Sequence, residues 1–206
     1  MNEISKGRLD GACGYLSGPM EFVADHGVAW RRKFIELSRQ AGLKLDLIDP
    51  TNKPGGKDIK IGENKAEQVK LQQEGRWLEL QKYVHAYRRY DLRFVDLSDF
   101  LVVGVDPSIP QWGTGNEVYV AEAQHKPMLF ICEGGLKTLP RWLFDVVELE
   151  HQIIRNNVYE TCRTNVFQSV EEVVQELQML DSGYIPMSDK WVLVRKELER
   201  MRDQNP

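Results

Sequence analysis

The chain has 206 residues, enough for one domain, with 42% hydrophobic residues to build a core and 28% charged residues to cover a solvated surface. A net charge of −4 and a pI near 5.7 supply no global basic field for a nucleic-acid polyanion. No apolar run approaches the ~20 residues of a membrane span, so neither a nucleic-acid polymer nor a membrane is expected as a partner.

Met1 to Asp10 are polar, lack the apolar core of a signal peptide and read as a flexible lead. Cys13, Cys132 and Cys162 lie far apart with no CxxC pair. Two of them sit in apolar runs, so buried free thiols in a reducing cytoplasm are expected. His26, His85, His125 and His151 form no paired ligand set, and no metal site is expected.

Ala12 to Ser17 read as a short buried strand ended by Gly18-Pro19. Trp30, Phe34, Leu37 and Ala41 recur at helical spacing, with Gly42 as a stop. Leu43, Leu45 and Leu47 alternate as a second strand. Residues 51–70 are rich in Lys, Gly, Asn and Glu and read as an exposed, mobile insertion. A helix near 74–90 carries Trp77, Leu80, Val84 and Tyr87 on one stripe.

Phe100 to Val105 is an unbroken apolar run, the signature of a strand covered on both faces. A turn at Trp112 to Gly115 leads into a helix containing Glu117, and Met128 to Cys132 is a further buried strand. Beyond Gly134-Gly135 the expectations are a helix near 139–147 and a short strand at 165–167. A capping box, Ser169 to Glu172, opens a helix to about Leu180, and residues 185–206 form a helical extension with its terminal helix at 189–203. Strands alternating with helices imply one doubly wound α/β domain, flavodoxin-like or Rossmann-like, with about five parallel strands and helices on both faces.

In such a fold ligands sit at the carboxyl ends of the strands. Tyr15 to Pro19, Asp91 and Gln111 to Glu117 fall there. Glu117, read in the opening turn of a helix, has its charged form favoured by helix amides and dipole, and the neighbouring glycines open the backbone to a sugar. A Glu in a first turn also serves stability alone. Asp91 takes a place on the stripe where an apolar residue is due, and reads equally well as the N-cap of a short helix at 92–97. Tyr15 reads either as a core tyrosine or as a site hydroxyl.

Together, Tyr15-Leu16-Ser17-Gly18-Pro19, Tyr90-Asp91-Leu92 with Ser98 to Val103, and Gly113-Thr114-Gly115-Asn116-Glu117 with Ala121 and Lys126-Pro127 resemble the nucleoside 2-deoxyribosyltransferase family, including its related nucleoside 5′-monophosphate N-glycosidases. The resemblance covers roughly residues 12–132. It implies that Glu117 attacks the anomeric carbon, Asp91 protonates the departing base and Tyr15 orients Glu117. Such a retaining glycosyl transfer requires a nucleophilic and an acid carboxylate and no cofactor. Ser17, Gly18, Gln111, Gly113, Thr114 and Gly115 are the expected substrate contacts.

Transferases of this family usually carry an acid at the place of Gln111, and a neutral amide there favours a 5′-phosphate. Ser17 is then a phosphate contact or, equally, a turn residue, and Arg141 reads sooner as a solvated side chain than as a phosphate contact. The sugar passes to another base or to water. A nucleotide-binding sensor without turnover is the competing class, and a flavin binder lacks its Ser/Thr-rich phosphate loop. The family is commonly oligomeric, so a homodimer or higher homo-oligomer is expected.

Overall fold

The computed structural model describes residues 7–52, 61–155, 158–194, 196–197 and 201. Five parallel strands form its sheet: β1 (Cys13–Ser17), β2 (Asp46–Ile48), β3 (Phe100–Val105), β4 (Met128–Cys132) and β7 (Val166–Phe167), in the order β2-β1-β3-β4-β7. β5 (Leu149–Arg155) and β6 (Val158–Thr164) pair antiparallel as a separate ribbon inserted before β7. The helices are α1 (Val28–Gln40), α2 (Ile61–Gln73), α3 (Trp77–Leu97), α4 (Trp112–Ala123) and α5 (Val170–Ser182).

Both faces of the sheet are covered, which is why β3 has no polar residue to alternate with. Leu16, Phe100 and Val102 point to one side, where Phe34 of α1 and Val173 and Leu177 of α5 complete a core. Tyr15, Leu101, Val103 and Val105 point to the other, against Val95 of α3 and Val118 and Ala121 of α4. Gly14 faces the Phe100 ring so closely that an added Cβ would lie 2.5 Å from it. The chain leaves β1 toward β2 and returns to β3 on the opposite flank. The carboxyl ends of β1 and β3 therefore border the crevice where such sheets bind ligands.

The expected elements at 12–17, 100–105, 128–132 and 165–167 are found within a residue or so. Ser169 caps α5 as expected, its hydroxyl accepting from Glu172 N at 3.3 Å. Four expectations change. Residues 51–70 are not a continuous loop: from Ile61 they form α2, whose Lys, Glu, Gln and Ala content suits a solvated helix. Residues 1–6 and 53–60 lie outside the described residues.

The helix expected at 74–90 and the short one at 92–97 are a single 21-residue helix, because no Gly or Pro interrupts them. Asp91 is thus a mid-helix residue and not an N-cap. The stripe of α3 is only partly covered, Trp77 and Val84 being exposed. Residues 139–147 make 3-10 turns, Arg141–Asp145 following Gly135–Lys137, because the β-branched pair Val146-Val147 already leads into β5.

At the tail, residues 191–193 are irregular and helical backbone begins at 194. Trp191 packs its ring 5.4 Å from Phe100, and Val194 N donates to Asp99 at 3.1 Å. Asp99, buried, also accepts from Cys13 N at 2.8 Å, which ties the tail to the start of β1. Cys13 and Cys132 are buried thiols. No helix among the described residues is long and apolar enough to cross a membrane.

Candidate active site

Tyr15 and Ser17 alternate along β1, and both hydroxyls reach the same carboxylate. Tyr15 donates to Glu117 Oε1 at 2.9 Å, and Ser17 Oγ donates to Oε2. Glu117 comes from α4, about a hundred residues away in sequence, and only 7% of its surface is exposed. Each oxygen is held by one neutral donor, which fixes the rotamer of the carboxylate and leaves lone pairs toward the adjoining cleft. That cleft has a volume of about 320 Å³, within the range of small-molecule sites, and its wall includes Glu117, Asp91, Gly113, Arg88 and His26.

α4 begins at Trp112, so Glu117 is its sixth residue and lies beyond the free amides of the first turn. The expected stabilisation of its charge by the helix end is therefore absent. Burial instead pushes the Glu117 carboxyl up to about 7, the charge of Asp91 pushes the same way, and the Ser17 and Tyr15 hydrogen bonds with Arg31 only partly oppose them. Burial and the neighbouring carboxylates hold Tyr15 well above the usual phenol range. It remains a neutral donor.

Asp91 lies half-buried on α3, in the cleft wall with Glu117. One turn back, Tyr87 also faces the cleft, and its hydroxyl meets that of Tyr83 at 3.4 Å. Arg88 donates to Asn116 Oδ1 at 3.2 Å, bridging the two cleft walls. Gly113 has open space where a side chain would stand.

Other expected contacts do not face this cleft. Gln111 lies in the wall of a neighbouring groove formed by Trp112, Tyr119 and Trp142, and its Nε2 donates to the carbonyl of Asp106. That bond uses one of the two Nε2 hydrogens and turns the side chain along the groove wall. Gly115 faces Trp142 in the same groove, and Thr114 is buried on the inner side of α4. Gly18 packs against Trp30 and the Gly104 carbonyl. Ser17 is engaged by Glu117, and Arg141 is exposed and stands apart from the cleft wall.

The sequence reading missed Arg31, which is fully buried. Its signal was present: Arg31, Phe34 and Ser38 share the i, i+3, i+7 spacing of an inward face. Cleft residues His26 and Gln68 carried no comparable signal. Neither a scan against protein-family models nor a search of curated proteins finds a match to the chain.

Proposed function

We propose that the chain cleaves the N-glycosidic bond of a 2′-deoxynucleoside or its 5′-monophosphate and passes the sugar to another base. The observation that carries this reading is the buried Glu117 carboxylate, held through both oxygens by Tyr15 and Ser17, in the wall of a cleft that Asp91 shares. In the first step Glu117 attacks C1′. The C1′–N bond breaks, its electron pair stays on the base nitrogen, and that nitrogen takes a proton from Asp91. In the second step an acceptor base attacks C1′ from the vacated side, gives its proton to Asp91 and releases Glu117.

The reaction needs one proton for two carboxyls that repel each other when both are ionised. The reactive form carries it on Asp91, with Glu117 ionised. Attack needs the ionised Glu117, whose carboxyl burial pushes up to about 7, so kcat/KM rises as pH passes through that value.

A second reading, transfer to water from a nucleoside 5′-monophosphate, draws support from Arg88, a fixed cation in the cleft wall. Chromatography of free base, after incubation with a panel of nucleosides and 5′-monophosphates with and without an acceptor base, tests both. Release that depends on the acceptor supports transfer; release from monophosphates alone supports hydrolysis. Nucleotide binding without any release would favour a sensor, and wild-type turnover in Glu117→Ala would refute the mechanism.

A further inference from the structure

Arg31 is completely buried on α1, and its guanidinium spends its donors on three backbone carbonyls. Nε donates to Leu16 O at 2.9 Å, Nη2 to Gly18 O at 2.9 Å and Nη1 to Gly27 O at 2.8 Å. The first two carbonyls flank Ser17, whose hydroxyl holds Glu117. The second and third are the two stems of the segment 19–26, which contributes Met20, Glu21 and His26 to the cleft wall.

The fit around Arg31 is close. At Gly27, with φ of +71°, an added Cβ would lie 2.4 Å from Nη1 and 2.6 Å from the Pro19 carbonyl. The guanidinium lies 4.7 Å from the centre of the Trp30 ring, and Asp49 Oδ1 is 3.9 Å from Nε. A planar fork meets three carbonyls at once; a lysine ammonium has no such geometry.

We propose that Arg31 is a positioning residue, whose guanidinium places both the Ser17 clamp on the nucleophile and the 19–26 wall of the substrate cleft. The proposal rests on the reading of Glu117 as nucleophile. The groups that act on Glu117 are Ser17 and Tyr15 of β1, Asp91 of α3 and Arg31 of α1, while His26, Glu21, Tyr87 and Arg88 share its cleft wall. Among the four that act on it, Arg31 alone is a cation, so it also lowers the affinity of Glu117 for a proton.

Two variants separate position from charge. Arg31→Lys keeps the charge and loses the fork; Arg31→Met loses both. Base release as a function of pH gives kcat, KM and the acid limb, and 13C NMR of the glutamate carboxyls follows Glu117 directly, without turnover. In Arg31→Lys, kcat falls by roughly 10- to 100-fold, as expected for a misplaced reacting group, KM rises, and the Glu117 midpoint stays near the wild-type value. In Arg31→Met the midpoint also rises, by about one pH unit, and kcat falls further.

If Arg31 only holds the fold together, both variants are less stable yet keep wild-type kcat per folded molecule and a wild-type Glu117 midpoint; that result overturns the proposal. Should Arg31→Met fail to fold, wild-type kcat in Arg31→Lys is sufficient to overturn it. An inactive wild type would defeat the nucleophile reading instead. The NMR midpoint in Arg31→Met then decides whether Arg31 acts on Glu117: a rise sustains the coupling and an unchanged value ends it.

Discussion

Glu117 should make the folded chain less stable as pH rises, and Glu117→Gln should remove that dependence. The carboxyl titrates at about 7 when folded and near its ordinary 4.5 when unfolded. Between those values the folded state binds more protons than the unfolded one, so stability is highest below 4.5 and is lost as pH rises toward 7. At about 1.4 kcal/mol per pH unit of separation, the loss between pH 4 and pH 8 is about 3 kcal/mol. The group is nearly fully buried, so solvent screening takes little from this figure.

Glutamine has the same shape and no charge, and its carbonyl and amide can still pair with the Tyr15 and Ser17 hydroxyls. Urea denaturation of both proteins at pH steps from 4 to 8 isolates the contribution of Glu117 and its coupling to its neighbours, because groups away from the cleft titrate alike in the two. With a urea slope of about 2 kcal/mol/M, the midpoint advantage of Glu117→Gln should grow by about 1.5 M from acid to alkali. A difference that stays constant, or grows toward acid, would refute the claim that a desolvated carboxylate is held here.

Asp91→Asn removes the like charge and the acid together. The Glu117 midpoint should move down, and base release should fall roughly 10²- to 10⁴-fold for leaving groups that need a proton. The loss should be much smaller for a nitrophenolate leaving group; equal losses for both would argue against Asp91 as the acid. Tyr15→Phe deletes a hydrogen bond to the carboxylate, a contact of about 1.5–3 kcal/mol when the acceptor is charged. The acid limb of kcat/KM should therefore move upward, as pH–rate profiles can check. Ser169→Ala should cost about 1 kcal/mol of stability by thermal or urea unfolding, with kcat unchanged, since it touches only the cap of α5. Gly14→Ala should cost about 1–3 kcal/mol, because the new methyl must displace the Phe100 ring.

Much of the fold was legible in the residues themselves. A doubly covered strand such as Phe100 to Val105 has no polar residue to blur its limits, and Ser169 with Glu172 marks a helix start by local chemistry. The ribbon of β5 and β6 escaped notice because Leu149 to Thr164 mixes charged and apolar residues without clean alternation. Asp91 and Tyr15 stood out because each breaks a local pattern, an acid on a helix stripe and a hydroxyl in a buried strand, whereas Glu117 stood out by its place behind a glycine turn and by the resemblance.

The groove that Gln111 lines was not legible, because position in the chain says nothing about which side of α4 a side chain takes. The protonation of Glu117 was misjudged for a related reason. A helix-end effect reaches only through the first turn, whereas desolvation and the fields of Asp91 and Arg31 come from strands and helices distant in sequence. The sequence by itself therefore determined which segments are covered and which residue types stand at the crevice, because burial imprints periods of 2 and 3.6 on a chain. Only the tertiary structure decided that Glu117 is clamped, buried and reluctant to ionise, since that depends on how β1, α1 and α3 pack around one carboxyl group of α4.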